Sequence, residues 1–281
     1  MSIAVDAPAP STTASRAPRR GHALLALVRQ GLRDNRRAPL TWGGSLGAMT
    51  ALMTALWPSI ETSAAKLVDS YPAGLKQAFG ISRLDSVEAY VDAEMLSLMI
   101  PLALAFFAVR CATRATVGAE DRGHLDTLLA LPLSRRMLVG ASFAVTGLVL
   151  AAILAVVWAL TWITATVVGA GISASALAAG LANVWPLAML FAGLATLAAG
   201  VVHRPATVTA IAVGALAASY VLDVAGKLAG AVEPLRALSP FRYYGSAIQH
   251  GLDPSHVVGL TLVAIVLAAA GAQLFERRDV L

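Results

Sequence analysis

The residues able to do chemistry in this chain are few, and their spacing decides little of it. Five histidines, His22, His124, His203, His250 and His256, are scattered and lie mostly beside apolar runs. No His/Cys cluster stands at metal-ligand spacing and no HExxH occurs. Serines, histidines and acids are present, but no nucleophile motif joins them. No GxxxxGK[ST] phosphate loop occurs, so the chain cannot hold ATP in that manner. Cys111 is the single cysteine, which excludes an internal disulfide; at the end of an apolar run it reads as a small apolar filler. Asp223 and Lys227 stand four apart, the spacing of an ion pair on one helix face. They read as a structural pair at a helix end rather than a functional one. No catalytic, metal or cofactor site is expected.

One polar stretch stands out. Residues Gly118 to Gly140 are helix-compatible and flanked by long apolar runs. Gly118 breaks the preceding segment, and Glu120 and Asp121 suit the first turn of a short helix. Leu125, Leu128 and Leu129 fall on one face, three and four residues apart. Pro132 stops the helix, and Ser134 is placed to cap the next. Two readings fit: a short amphipathic helix held between spans, a handle by which something in solution could push on them, and a solvated loop with a chance leucine stripe.

The elements around it are set by composition. Of 281 residues 58% are hydrophobic and 13% charged, about half the usual charge of a soluble domain. From Met137 to Val202 runs a stretch of 66 residues without Asp, Glu, Lys or Arg. A bilayer core needs roughly 20 apolar residues per helix, so this run holds two spans. The chain is an all-α, polytopic membrane protein. Six transmembrane helices are predicted, at about 38–60, 93–111, 138–168, 177–202, 206–222 and 255–275, within a transmembrane domain spanning 38–281. Gly43 and Gly47 form a GxxxG pair in the first, a match that is cheap in a chain with 23 glycines. Pro101 predicts a kink in the second. Trp158, Trp162 and Trp185 fit a path for apolar cargo, or lipid-facing and packing positions. No ionisable residue is expected deep in a span, which disfavours an ion-coupled carrier.

Outside the spans, residues 1–18 are rich in Ala, Pro, Ser and Thr and read as a disordered tail; no apolar core of a signal peptide is evident in residues 1–20. Residues 22–37 form an interfacial amphipathic helix. Leu24, Leu25, Leu27, Val28 and Leu32 lie on one side, and Arg29, Arg33, Arg36 and Arg37 on the other, towards anionic lipid. Between the first two spans, Tyr71, Leu75 and Phe79 sit four apart, consistent with a short helix on the opposite surface. The tyrosines of Ser239–Tyr244 fit an interfacial belt. With both termini cytosolic, six basic residues (Lys66, Lys76, Arg83, Lys227, Arg236, Arg242) lie outside and the other 15 of the 21 inside. That bias sets the orientation and places Gly118–Gly140 in the cytosol. The formal charge of +5 therefore belongs to topology and does not imply nucleic acid.

The run from Ala119 to Arg136, AEDRGHLDTLLALPLSRR, resembles the cytosolic signature of ATP-binding-cassette type 2 (ABC-2) exporter permeases, approximately E-x-x-x-G-T-L-E-x-L-L-x-x-P-[VL]-S-R. His124 stands at the usual Thr and Asp126 at the usual Glu. The basic helix, the six-span plan, Tyr90 to Pro101 and Leu238-Ser239-Pro240-Phe241 extend the likeness over nearly the whole chain. The resemblance implies a permease subunit of a bacterial plasma-membrane exporter. It would pair with a second permease copy, identical or not, and engage a separate nucleotide-binding subunit that carries ATP and Mg. Glu120, Asp121, Arg122, Leu125, Leu128 and Leu129 would form the coupling helix docked on that ATPase, with the basic helix beside it. A membrane sensor that signals through its ATPase without net transport is an alternative.

Overall fold

The structure is a computed structural model that describes residues 20–69, 72, 86–121 and 134–277. Every regular element among them is helical. Helix α1 (Arg20–Asp34) leads through a turn into a π-helical turn (Pro39–Gly43) and α2 (Gly44–Asp69). Helix α3 (Val87–Val91), a π-helical turn (Asp92–Leu96) and α4 (Met99–Ala115) form one interrupted rod, followed by the short α5 (Val117–Asp121). Then come α6 (Arg135–Val168), α7 (Ala174–Ala199) and α8 (Pro205–Leu228). A 3-10 segment (Gly230–Leu238), two short helices α9 (Pro240–Tyr244) and α10 (Ala247–His250), and α11 (Pro254–Glu276) complete the described chain.

Five of these units are long and apolar enough to cross a membrane: Val87–Ala115, Arg135–Val168, Ala174–Ala199, Pro205–Leu228 and Pro254–Glu276. They match the second to sixth expected spans. The first, α2 with its π-helical entrance, is long enough but falls short of their apolar content. Much of its polarity is concealed: Thr50 Oγ1 donates to Leu46 O at 2.8 Å and Thr54 Oγ1 to Thr50 O at 2.9 Å, and both threonines are buried. A hydroxyl bonded to its own helix costs far less in an apolar setting than a free one.

Local signals fix the ends. Ser134 and Ser173 accept the backbone N–H of Met137 and Ala176, capping α6 and α7. Gly169, at φ 67°, ends α6 in a left-handed conformation that glycine adopts without penalty. Pro205 and Pro254 open their helices, where the missing N–H costs nothing. The expected break in the second span falls upstream of Pro101, at Ser97–Leu98. The proline ring excludes the carbonyl four residues earlier, that of Ser97, from a helical bond, and Leu98 departs to φ −138°, ψ −60°.

Helix α7 is the axis of the bundle. Leu177, Leu181, Val184, Leu187, Phe191 and Ala195 are buried on it, with α4 and α8 packed to its sides and α11 lying closest. The α7–α11 seam is built on glycine: a Cβ on Gly193 would stand 2.5 Å from Ala264 O, and one on Gly271 2.5 Å from Thr196 C and O. Gly43 and Gly47 do the same against α6, where a Cβ would meet Val156 at 2.9 Å and Leu160 at 2.8 Å. That GxxxG pair therefore serves packing inside the chain. Trp158 and Trp162 stack at 5.5 Å; Trp158 Nε1 donates to Ala174 O at 3.0 Å and Trp185 Nε1 to Gly147 O at 2.8 Å. These bonds tie α6 to the start and body of α7, so both indoles pack helices together.

Candidate functional site

At one end of the bundle lie the elements the sequence singled out. Helix α1 packs Val28 and Leu32 on the core, and Gly31 abuts Val145 of α6. Arg29, Arg33, Arg36 and Arg37 are exposed, as an interfacial helix requires, whereas Leu24 and Leu25 are also exposed, at 41% and 65%. The helix closes earlier than the pattern suggests. It ends at Asp34, with Asn35 Nδ2 donating back to Gly31 O at 2.9 Å, and Arg36 and Arg37 stand in the turn beyond. Between α1, the end of α4 and the start of α6 is a cavity of about 340 Å³ lined by Gln30, Asp34, Asn35, Cys111, Arg114 and Ser142 among others.

Beside it, α4 turns into α5 at Thr116, whose hydroxyl donates to Ala112 O at 2.8 Å. The break thus comes two residues before Gly118, which is buried inside α5 and does not interrupt it. Glu120 and Asp121 fall at the fourth and fifth positions of the helix and not in its opening turn. Val117 is fully buried, and α5 rests on α4 and on the start of α8; nearby, Thr209 of α8 donates to Thr113 of α4 at 3.5 Å. Arg122, Leu125, Leu128 and Leu129, with Pro132, lie outside the described residues, as do Tyr71, Leu75, Phe79 and residues 1–18. Arg136, at the start of α6, ion-pairs with Glu276 at the end of α11. That partner compensates the unfavourable position of a cation at a helix N-terminus.

The opposite end of the bundle holds what the sequence did not reveal. Asp92, one residue ahead of the expected second span, lies inside the Val87–Ala115 rod and is 8% exposed. Asp223 is 3% exposed. Its two carboxylate oxygens are taken by Lys227 Nζ at 2.7 Å and Arg236 Nε at 3.0 Å, so the i,i+4 pair expected from spacing is one half of a triad. Arg236 comes from the 3-10 segment and could not be paired by local spacing. Asp92 Oδ2 accepts Gln249 Nε2 at 2.8 Å. Both acids stand within about two turns of the ends of their helices, at the margins of the spans and not deep in them.

Tyr244, expected in an interfacial belt, is packed inside the bundle and 7% exposed. Its hydroxyl donates to Leu96 O at 2.8 Å, a carbonyl at the disrupted end of the π-helical turn, while Asn183 Nδ2 donates to the carbonyl of Tyr244. Burial first, and the Asp92 carboxylate second, hold its phenol well above the usual tyrosine range. Ser239 Oγ donates to Ser219 O at 2.6 Å, fixing the approach to α9. Asp92, Ser97, Tyr220, Asp223, Lys227 and Ser246 line a cavity of about 130 Å³ between these groups. Among the described residues no group of three or more His, Cys, Asp and Glu is placed to hold a metal.

An all-helical bundle with five helices long and apolar enough to cross a membrane, a short helix wedged against two of them at one end and a paired-charge cavity at the other, is a multi-pass membrane protein. The chain belongs to the family described as the C-terminal domain of the multidrug efflux system permease Rv1217c, which it matches over residues 27–276. No curated protein matches it.

Proposed function

We propose that this chain is the permease subunit of an ABC-2 exporter, a six-span gate driven by ATP hydrolysis on a separate nucleotide-binding subunit. The observation that carries the reading is mechanical. Val117 at the root of the lever is buried where α5 meets both α4 and α8, so a force applied to the following residues would reach two spans at once. Interdigitated helices transmit such a push because packed interiors yield little, and the bundle would tilt between inward- and outward-facing states.

In this reading α2 is the first span and both termini are cytosolic, in a bacterial plasma membrane. Glu120, Asp121, Arg122, Leu125, Leu128 and Leu129 meet the ATPase, and Arg29, Arg33, Arg36 and Arg37 hold α1 on the lipid headgroups beside it. ATP and Mg stay on the partner, this chain performs no chemical step, and a second permease copy completes the pore. The family description supports an amphipathic or apolar drug-like cargo.

The test is co-purification. Leu125→Asp with Leu128→Asp should abolish recovery of the ATPase while membrane insertion is unchanged. Undiminished recovery would remove the docking role. Vesicle transport with the partner present separates an exporter from a sensor that signals without net transport, and uptake by the chain alone down an ion gradient would mark a carrier.

A further inference from the structure

Helices α6 and α7 carry one pattern twice. Residues Ala151–Trp158 read AAILAVVW and Ala178–Trp185 read AAGLANVW, which share the form A-A-x-L-A-x-V-W. The helices are neighbours joined by the turn at 169–173 and run antiparallel, so the two copies lie head to tail. Each indole crosses to the other helix at the same place in the pattern. Trp158 Nε1 donates to Ala174 O, four residues before Ala178, and Trp185 Nε1 donates to Gly147 O, four residues before Ala151. Burial repeats as well. Leu154 and Leu181 are buried, Ala151, Ala155, Ala178 and Ala182 are exposed, and both tryptophans are half-buried. The copies thus make a local two-fold arrangement with a gap at its centre: the four alanines leave space that larger side chains would fill, and with the two tryptophans they line a cavity of about 520 Å³.

We infer that this cavity binds an uncharged, fused-ring aromatic part of the cargo, held against the two indoles. The inference rests on the export reading and deepens it by naming a cargo chemistry. Size, polarity and the character of the wall select the occupant. The volume of about 520 Å³ falls within the roughly 300–1,000 Å³ of sites for drug-sized molecules. No charged residue lines the cavity, and both indole N–H groups are spent on backbone carbonyls. A charged or strongly polar group would enter without a partner, which is costly. An aromatic ring gains offset or edge-to-face pairing with an indole beyond the area it buries, whereas a saturated chain gains the area alone. The indoles are also set in place beforehand. Trp162 stacks on Trp158 at 5.5 Å with the planes 9° apart, and Gly147 admits Trp185 closely, since a Cβ there would stand 3.1 Å from its Cζ2. Walls that are already fixed lose little freedom when a ligand arrives.

The test is a binding measurement on the full chain in lipid nanodiscs without any ATPase, so its outcome is independent of whether the coupling reading holds. The probe is N-phenyl-1-naphthylamine, a neutral fluorescent aromatic, read by energy transfer from tryptophan after subtraction of empty nanodiscs. Phenanthrene should displace it at about tenfold lower bilayer concentration than perhydrophenanthrene, which has the same carbon skeleton and no π electrons. Ala155→Leu and Ala182→Leu stand at equivalent positions of the two copies and fill the cavity without breaking a hydrogen bond. Both alanines are exposed, so the larger side chains cost the fold little. Each variant should weaken the probe about tenfold, and by similar amounts. Ala217→Leu, at an exposed position of α8 away from the cavity, should leave its affinity unchanged. Equal displacement by the aromatic and the saturated competitor would overturn the assignment and make the cavity a groove for lipid chains. Unchanged probe binding in both cavity variants would also overturn it, and a loss of dimer mass by light scattering in the same variants would then make the surface a contact with a second copy.

Discussion

Gly271 and Gly259 lie on the same helix and should respond to the same substitution with opposite sign. A Cβ on Gly271 would fall 2.5 Å from Thr196 C and O and 2.6 Å from Leu197 N, whereas one on Gly259 would meet nothing within 4 Å. Ordinary van der Waals contact begins near 3.4 Å, so Gly271→Ala forces α11 away from α7 by almost 1 Å along the most extensive seam of the bundle. Overpacking of this kind costs about 1–3 kcal/mol. Replacing glycine by alanine inside a helix gains about 1 kcal/mol, and that gain is common to both sites. Gly259→Ala should therefore stabilise by up to about 1 kcal/mol, Gly271→Ala should be neutral to about 2 kcal/mol destabilising, and the two should differ by about 1–3 kcal/mol. Apparent unfolding temperatures in one detergent, read by size-exclusion fluorescence after a heating series, measure the difference directly. Equal shifts in the two variants would refute the reasoning, because they would mean that α7 and α11 do not touch backbone to backbone.

The triad at Asp223 makes a second prediction. Arg236→Ala should release the 3-10 segment Gly230–Leu238 and cost about 1–2 kcal/mol, less than a fully buried pair because Lys227 remains and Arg236 is 22% exposed. Gly226→Ala should copy it, since a Cβ there would overlap the Arg236 side chain; amide exchange across residues 230–238 that stays slow in both variants counts against the triad. A third prediction concerns acid. Hydrogen bonds from Ser255, and secondarily the backbone N–H and ring of His256, hold the Asp253 carboxyl below its usual range at the start of α11. A depressed folded value means that the cap's stabilisation is present above the unfolded carboxylate pKa and is lost as pH falls through the folded one. Asp253→Ala should accelerate exchange at residues 255–257 at neutral pH and make no difference once the medium is acid enough to protonate the wild-type carboxyl; a difference that persists in acid would mean the residue acts by packing and not by charge.

Much of the architecture is written along the chain, because a bilayer imposes a one-dimensional rule. A helix that satisfies its own backbone and carries about 20 apolar residues is recognisable from composition alone, so Met137–Val202 announced two spans, and Ser134 marked the start of α6 through a contact reaching only three residues. The arginine face of α1 and the exposed side chains on it follow from a 100° repeat in the same way. Where the signal needed a distant partner, the chain was silent or misleading. GxxxG in the first span looked accidental until Val156 and Leu160 of α6 were found filling its groove. Tyr244 read as interfacial because aromatic type is a local cue, while its burial depends on Leu96 and Asn183, far away in sequence. Asp92 fell just outside the expected second span, and only the folding of α3 onto α2 and α10 carries it into the bundle. Asp223 announced Lys227 at i+4 but could not announce Arg236. Spacing along a helix specifies which residues share a face; what that face meets is decided by packing between helices, and it is there, among side chains brought together from four elements, that the cavity at Asp92 arises.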